Sequence, residues 1–242
     1  MGFKDAFDYF TYLLSVPKCV SCNEKLTFKE KALCRKCSEI FEEVKNRNCS
    51  RCSKLLSECV CVSRSLATHF VKGVVKCFRY NVREENHPAN ALIYSLKRDN
   101  RDDVLEKCTY ELCRALKNNL DLDSNFIITN VPRRKRAIVE YGIDHSALLA
   151  KSIAKRLDLR YVPLLKSNTK NEQKSLSSED RLKNIDFELI SCENLKGNSV
   201  IIVDDIITTG ASIGAASSLV RSLGTKSIYA ASLAIAYKDD LY

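Results

Sequence analysis

Two adjacent acids precede a small loop rich in hydroxyl groups. Residues 200–212 have the sequence VIIVDDIITTGAS, so a buried strand leads into Asp204 and Asp205 and then into a predicted helix. The backbone N–H groups of such a turn converge on one point, where the helix dipole favours an anion. We predict that this loop binds a phosphate group. Its residues supply hydrogen-bond donors or a backbone that can approach the phosphate closely. They are Thr208, Thr209, Gly210, Ala211 and Ser212.

The two acids need a separate explanation, because carboxylates repel phosphate. Their position makes sense if the ligand also carries hydroxyl groups or a metal ion. We therefore predict that Asp204 and Asp205 contact the hydroxyls of a phosphorylated sugar and hold Mg²⁺ through oxygen ligands. The alternative is an ordinary strand followed by a capped helix.

The cysteines form a second constellation. Of twelve cysteines, eight lie between Cys19 and Cys61, in closely spaced pairs. A C-x-x-C turn places two thiolates on one side of a knuckle, and two such turns complete a tetrahedron around Zn²⁺. We predict two structural zinc sites, whose pairing along the chain is sequential or interleaved. The predicted ligands are Cys19, Cys22, Cys34, Cys37, Cys49, Cys52, Cys59 and Cys61. The other four, Cys77, Cys108, Cys113 and Cys192, are interpreted as core residues.

The elements that position these groups follow from hydrophobic periodicity. Residues 1–65 form a predicted cysteine-rich module held by metal rather than by a core, and residues 66–242 form a second domain. In that domain, strands alternate with helices, which predicts a parallel, doubly wound α/β sheet. The predicted strands lie near 70–80, 126–131, 161–165, 199–204 and 226–237, and the helices near 86–98, 101–119, 146–157 and 211–223. Segment 167–184 is predicted to be a loop or an exposed helix.

Charge and hydropathy narrow the class of protein. The 242-residue chain has a formal net charge of +9, which favours an anionic partner, although two four-thiolate zinc sites would lower this to about +5. No apolar run approaches the roughly 18–20 residues of a membrane helix, and the N-terminal stretch lacks the features of a signal peptide. We expect a soluble, cytoplasmic protein, which is compatible with docking on a membrane-bound partner.

The stretch VIIVDDIITTGAS resembles the phosphoribosyl pyrophosphate (PRPP) signature of type I phosphoribosyltransferases. In that family the two acids contact the ribose 2- and 3-hydroxyls, and the loop holds the 5-phosphate. Over nearly its whole length the sequence resembles the ComF (ComFC-type) competence proteins, which join an N-terminal double zinc ribbon to a phosphoribosyltransferase-like domain. Further motifs carry the resemblance: LLSVPKCVSC at 13–22, LIYSLKRDN at 92–100, TNVP at 129–132, and a block with Gln173, Leu176, Ser177, Glu179, Arg181, Asn184 and Phe187.

One segment departs from the family pattern. After Val-Pro the family usually runs through several arginines to Arg-Gly-Phe-Asn-Gln, whereas this chain has RRKRAIVEYGIDHS. Gly142 is retained, Tyr141 replaces the arginine, and Asp144 and His145 replace Asn-Gln. Basic residues lie earlier in the segment and are predicted to contact pyrophosphate or DNA, the alternative being a solvated basic turn. They are Arg133, Arg134, Lys135 and Arg136. His145 is placed near the cleft, and His69 and His87 are interpreted as structural or exposed.

The resemblance implies a function in natural transformation. Such a protein would handle incoming single-stranded DNA at the cytoplasmic side of the inner membrane, with PRPP, Mg²⁺ and the competence machinery, such as a DNA helicase, as partners. The alternative is an active transferase that moves ribose 5-phosphate from PRPP to a nitrogen acceptor. A third interpretation is a PRPP sensor that binds a protein through the zinc ribbon. The sequence leaves enzymatic activity, the acceptor and the oligomeric state open.

Overall fold

The structure is a computed structural model that describes residues 16–80, 87–133, 138–139, 142–168, 187–191 and 193–236. Several predictions fall outside these residues. They are the basic contacts Arg134, Lys135 and Arg136, the core residue Cys192, the motif block 173–184 and the N-terminal stretch 1–15.

A five-stranded parallel sheet forms the centre of the molecule, in the order β1-β7-β6-β2-β3. Its strands are β1 (Val71–Arg79), β2 (Phe126–Asn130), β3 (Arg160–Tyr161), β6 (Ser199–Ile207) and β7 (Ser227–Ile235). A separate antiparallel pair consists of β4 (Leu165–Ser167) and β5 (Phe187–Leu189). Because both faces of the central sheet are covered, its strands are near-continuous apolar runs rather than alternating ones.

Helices cover both faces of the sheet, which confirms the predicted parallel, doubly wound α/β architecture. They are α1 (Arg35–Lys45), α2 (Arg64–Thr68), α3 (Pro88–Arg98), α4 (Asp102–Asn119), α5 (His145–Leu157) and α6 (Ala211–Arg221), with a 3₁₀ turn at Leu56–Glu58. Helices α1, α3, α4 and α5 contribute to one core cluster, and α2 and α6 contribute to the other. Among the described residues, no helix is both long and apolar enough to cross a membrane.

Two strand boundaries differ from the prediction. The stretch 161–165 is not one strand: β3 ends at Tyr161, and β4 begins only at Leu165. Strand β6 does not end at the acids, because its parallel pairing with β7 continues to Ile207 opposite Ile235. Asp204 and Asp205 therefore lie within the hydrogen-bonded part of β6. The end of this strand is decided by its pairing with β7 and not by the local change from apolar to acidic residues.

The cysteine-rich segment shares a hydrophobic core with the sheet. The sequence instead predicted a module that is held by metal rather than by a core. Phe41 of α1 is 1% exposed and packs edge-on against Phe78 of β1, with ring centroids 5.5 Å apart. Nearby, Lys45 Nζ lies 2.8 Å from Glu111 Oε2 of α4, and both side chains are 3% exposed. These contacts join residues that are distant in sequence, so local composition does not reveal them. The domain division at residue 65 stays a prediction.

Candidate functional site

The candidate site lies where the chain leaves β2 and β6. These two strands are neighbours, but β2 leads through α5 to β3 on one side, and β6 leads through α6 to β7 on the other. Open α/β sheets bind ligands outside the carboxyl ends of the strands at this kind of topological switch. The topology thus brings the acids of β6 to the same edge as Arg133, which follows β2.

The predicted phosphate loop forms the start of α6. Gly210 caps this helix with a φ of +81°, a left-handed conformation that favours glycine. A Cβ atom there would lie 3.0 Å from Cγ and Cδ2 of Leu66, so the backbone also needs glycine for its close approach to α2. Thr208 and Thr209 are exposed, and Ala211 N donates a hydrogen bond of 3.3 Å to Thr209 Oγ1. The arrangement suits an anion at the helix N-terminus.

Asp205 is buried and already surrounded by cations. Its Oδ1 lies 3.1 Å from Lys97 Nζ, and its Oδ2 accepts a hydrogen bond of 2.9 Å from an Arg133 guanidinium nitrogen. The backbone N–H of Ile206 also donates to Oδ1 at 2.7 Å. Both carboxylate oxygens are thus occupied by the protein itself. Lys97 was not among the predicted site residues, although its position at the C-terminal end of α3, in the motif LIYSLKRDN, was a usable signal.

Asp204 has a different environment. It is half-buried, its Oδ1 accepts a hydrogen bond of 2.9 Å from the backbone N–H of Asp205, and it makes no ion pair within the described part of the chain. Burial, together with the charge of Asp205, raises the pKa of Asp204 to about 8, against the opposing effect of Lys97 and Arg133. At neutral pH its carboxyl group is therefore largely protonated, and it can donate a hydrogen bond to a hydroxyl group.

The raised pKa of Asp204 predicts a pH-dependent stability. Between its ordinary pKa of 3.8 and about 8, the carboxyl group is ionised in the unfolded chain but protonated in the folded one. The folded state then binds more protons, so the free energy of unfolding falls as the pH rises through this window. We expect this decline in urea unfolding between about pH 5 and pH 8 to be smaller in Asp204→Asn, which mimics the protonated acid.

Asp99→Asn is a suitable control, because this carboxyl group at the end of α3 keeps its solvent contact. It should leave the wild-type pH dependence unchanged. A decline that is equally steep in wild type and Asp204→Asn would contradict the assigned pKa.

The turn before α5 supports the cleft from the side of β2. Asp144 caps α5 by accepting hydrogen bonds from Ala147 N at 3.0 Å and Ser146 Oγ at 2.8 Å, and it also accepts one from Arg133 N at 3.3 Å. It therefore holds the backbone of Arg133 while the guanidinium group reaches Asp205. His145 lies beside the cleft but is buried, with Nε2 3.1 Å from Asn100 Oδ1, and burial, together with the Arg133 charge, lowers its pKa.

The other two histidines hold local structure. The His69 ring nitrogen Nδ1 lies 2.9 Å from Ser218 Oγ of α6. His87 caps α3 by accepting a hydrogen bond from Ala89 N. Neither contact belongs to the cleft, in keeping with the structural interpretation of both residues.

The eight predicted metal ligands form two clusters with sequential pairing. In each cluster the four Sγ atoms lie within 4.8 Å of one another, and the clusters are Cys19, Cys22, Cys34 and Cys37, called the first cluster, and Cys49, Cys52, Cys59 and Cys61, called the second cluster. The Sγ atoms of Cys22 and Cys34 are 3.6 Å apart. This is too long for a disulfide but close to the edge, about 3.8 Å, of a zinc–thiolate tetrahedron. Each cluster could hold one metal ion.

One cysteine in each cluster favours the thiolate form. Burial raises the pKa of Cys19, but backbone N–H groups of Cys22, Cys34 and Ser21 outweigh this effect and lower it to about 7. Cys49 is held at about 7 by the same combination of burial and backbone donors. Thiolates are the metal-binding form of cysteine. The interpretation of Cys77, Cys108 and Cys113 as core residues also agrees with the structure, where all three are buried.

A buried lysine that the sequence reasoning missed lies against the second cluster. Lys76 of β1 is 0% exposed, and its Nζ lies 3.2 Å from Cys59 Sγ and 3.0 Å from Cys59 O. The signal was a lysine in the interior of a mostly apolar strand, VKGVVKCFR. A long charged side chain at such a position needs a polar partner inside the protein.

Comparison with known proteins gives relatives for both parts of the chain. The family model described as "Phosphoribosyl transferase domain" matches residues 142–240. "Competence protein F" of Haemophilus influenzae is 24% identical over 227 residues, which cover 87% of this chain and 93% of the relative. Together with the two cysteine clusters, these matches confirm the predicted resemblance to ComF proteins.

Solved structures of phosphoribosyltransferases are also similar to this chain. A purine phosphoribosyltransferase from Pyrococcus horikoshii is 19% identical, with 56% of this chain and 74% of that chain covered and a TM-score of 0.37. An adenine phosphoribosyltransferase from Thermoanaerobacter pseudethanolicus is 21% identical, with 55% of this chain and 80% of that chain covered and a TM-score of 0.36.

Proposed function

We propose that this ComF-like protein handles incoming single-stranded DNA in natural transformation, and that its phosphoribosyltransferase-like domain binds PRPP in the cleft between β2 and β6. One observation supports the PRPP proposal above all. Asp204 and the N-terminus of α6 lie on the same connection, where the chain leaves β6 at the topological switch point of the sheet. The proposal for DNA is supported by the similarity to a competence protein over 87% of the chain.

The two acids of the cleft take different parts in the proposed PRPP binding. The start of α6 receives the 5-phosphate, and the carboxyl group of Asp204 binds the ribose hydroxyls. Asp205 holds Lys97 and Arg133 in place, because both of its oxygens are engaged with them. Mg²⁺ that accompanies PRPP would then be held through the phosphate oxygens and through Asp204, whose carboxyl group would release its proton on binding the cation, since Mg²⁺ prefers oxygen ligands and metal ligands must be deprotonated.

DNA would use part of the same cleft. Its strand offers repeated sugar-phosphate units to a chain with a formal net charge of +9, or about +5 with two four-thiolate zinc sites. It lacks the ribose 2-hydroxyl, so a cleft with Asp204 in this position should prefer PRPP. We propose Arg133, together with Arg134, Lys135 and Arg136, as contacts to DNA or pyrophosphate. The protein would act in the cytoplasm near the inner membrane, with a DNA helicase of the competence machinery as its partner.

We also propose that each of the two cysteine clusters binds one zinc ion. The four-thiolate donor set of the first and second clusters, in which the sulfur atoms lie within 4.8 Å of one another, fits Zn²⁺. Such closed sites have no open coordination position, so zinc would contribute folding free energy and not chemistry.

An active transferase is the second candidate, favoured by the acidic pair at the end of β6. In this case the protein would consume PRPP in the presence of a nitrogen acceptor, and Asp204 would orient the ribose. Experiments can distinguish the two functions. Transfer of ribose 5-phosphate requires a nitrogen acceptor, whereas DNA handling requires a salt-sensitive affinity for single-stranded DNA.

We expect zinc-loaded protein to bind labelled single-stranded DNA with an affinity that falls steeply between about 50 and 200 mM salt, because each neutralised phosphate releases counterions. Mg²⁺ and PRPP should compete if the strand lies in the cleft. Arg133→Gln should weaken binding and reduce the salt dependence, and the expected change in slope is about 0.7 per lost phosphate contact.

Lys166→Gln is the matched control, since Lys166 is an exposed cation on β4 that pairs with Glu188. It should bind DNA as the wild type does. If the wild-type protein shows no binding at the lowest salt, direct DNA contact is wrong, and consumption of PRPP with candidate acceptors becomes the next measurement.

A further inference from the structure

Lys76 carries a buried positive charge that lacks a carboxylate partner among the described residues. Its three N–H groups are shared among four acceptors, because Nζ lies 3.0 Å from Cys59 O, 3.3 Å from Cys61 O, 3.1 Å from Val74 O and 3.2 Å from Cys59 Sγ. Lysine is almost never fully buried unless it is paired. The three carbonyl groups are neutral, so among these four acceptors only the sulfur can offer Lys76 a negative charge.

The second cluster has a charge that Lys76 can balance. Four thiolates around a divalent ion carry a net charge of −2, and Cys49 and Cys59 are almost completely buried. Burying a charge is costly unless an opposite charge or hydrogen bonds compensate for it. The first cluster differs: in the described ranges, no lysine donates to its sulfur atoms.

The second cluster also covers an edge of the sheet. Strand β1 is at one end of the strand order, and on its free side Val74 N donates a hydrogen bond of 3.2 Å to Val60 O. A Cβ at Gly73 would lie 3.2 Å from Val60 Cβ, so the two backbones are in close contact. The unpaired backbone N–H and C=O groups of an uncovered edge strand can pair with a strand of another chain. The segment between Cys59 and Cys61 therefore shields this edge, and Lys76 binds both of its ends.

We propose that Lys76 is a positioning residue of the second metal site: its ammonium group balances the thiolate charge and fastens the segment 59–61 to the edge of the sheet. The second ion is then held jointly by the cysteine-rich segment and β1, whereas no buried lysine of the described residues donates to the sulfur atoms of the first cluster. This inference rests on the proposed zinc binding of the two clusters.

Zinc release from Lys76→Met tests the proposal, because methionine keeps an apolar stem and removes the charge. In the zinc-loaded full chain, release to a colorimetric chelator is followed over time. We expect one ion to leave at the wild-type rate and the other about 10–100-fold faster, as is typical when a group that supports a metal ligand is lost. The first cluster is the internal control.

A second pair of variants identifies the ion that is lost. Cys22→Ser removes a ligand of the first cluster, so the remaining tightly held ion belongs to the second. Adding Lys76→Met to Cys22→Ser should leave no tightly held ion. If Lys76→Met retains both ions at wild-type release rates, Lys76 does not support the site. If the wild-type protein itself binds no zinc, both this proposal and the proposed zinc binding are wrong.

A measurement on the wild-type chain covers the case in which Lys76→Met does not fold. Amine-reactive labelling followed by mass spectrometry should find Lys76 unmodified in the zinc-loaded protein and modified after chelation, when the segment 59–61 detaches. A Lys76 that stays equally protected after complete removal of zinc would overturn the proposal. Exposed Lys36 of α1 should be labelled in both states.

Discussion

Cys34→Ser will leave the protein with one tightly bound zinc ion instead of two, and will lower its melting temperature by about 10 °C. Cys34 is buried, and its Sγ lies 3.6 Å from that of Cys22 in the first cluster. The serine hydroxyl is a poor replacement for a thiolate, so the closed site opens. Each kcal/mol lost lowers the melting temperature of a chain of this size by about 2–4 °C, and we expect a loss of at least about 3 kcal/mol.

The size of this effect follows from the shared core. Leu26 and Leu33, which lie in sequence between the two cysteine pairs of the first cluster, are each 1% exposed and belong to the same core cluster as Phe78 of the sheet. Loss of the first ion therefore loosens apolar packing as well as the metal site. Native mass spectrometry counts the ions, and calorimetry gives the melting temperature.

Cys113→Ser is the matched control, because Cys113 is equally buried but lies in α4, outside both clusters. It should retain two ions, whatever its effect on stability. Retention of both ions in Cys34→Ser, with an unchanged melting temperature, would rule out the first cluster as a structural metal site.

Gly210→Ala will abolish measurable PRPP binding and destabilise the fold by about 2–5 kcal/mol. Two costs add at this position. A left-handed φ of +81° costs a residue with a Cβ roughly 1–2 kcal/mol, and the Cβ would lie 3.0 Å from the side chain of Leu66, which is itself fully buried. Because Leu66 is fully buried, we expect the loop to shift, so that the backbone N–H groups at the start of α6 no longer converge on the proposed phosphate position.

Gly197→Ala separates the two costs. Gly197 has a φ of +88°, but its Cβ would meet no atom within 4 Å. It should lose only the conformational part of the stability and keep PRPP affinity, as measured by urea unfolding and calorimetric titration. Adding Leu66→Ala to Gly210→Ala should recover part of the second cost, which a double-mutant cycle would detect as a coupling of roughly 1–3 kcal/mol. Equal PRPP affinities for Gly210→Ala and wild type would show that the phosphate binds elsewhere.

The parts of the site that were predictable are those whose signal is local. The turn at Thr208–Ser212 and the C-x-x-C spacing place chemical groups close together by covalent geometry alone, so the sequence sufficed to find them. The alternation of strands and helices likewise gave the parallel sheet. The end of β6 was misplaced because the pairing of Ile207 with Ile235 depends on another strand.

The parts that escaped prediction depend on contacts between distant segments. Arg133 and Lys97 reach Asp205 from different elements, and this pairing makes the two acids unequal. The raised pKa of Asp204 follows from its burial, which an acidic pair in a sequence does not indicate. Lys76 was overlooked because a lysine within a mostly apolar strand indicates that it needs a polar partner but does not identify that partner, here the Cys59 sulfur.

The strand order has a consequence for the synthesis of this chain on the ribosome. Within the described sheet β1 has one neighbouring strand, β7, and Val71 pairs with Ile228 although more than half of the polypeptide lies between them. At about 5–20 residues per second, β7 is translated roughly 8–30 s after β1. During this interval β1 has no strand of the described sheet to pair with. The sheet is complete only when β7, in the last part of the described chain, has been made. Assembly of this part of the sheet therefore depends on the synthesis of β7, even though the cysteine-rich segment is made first.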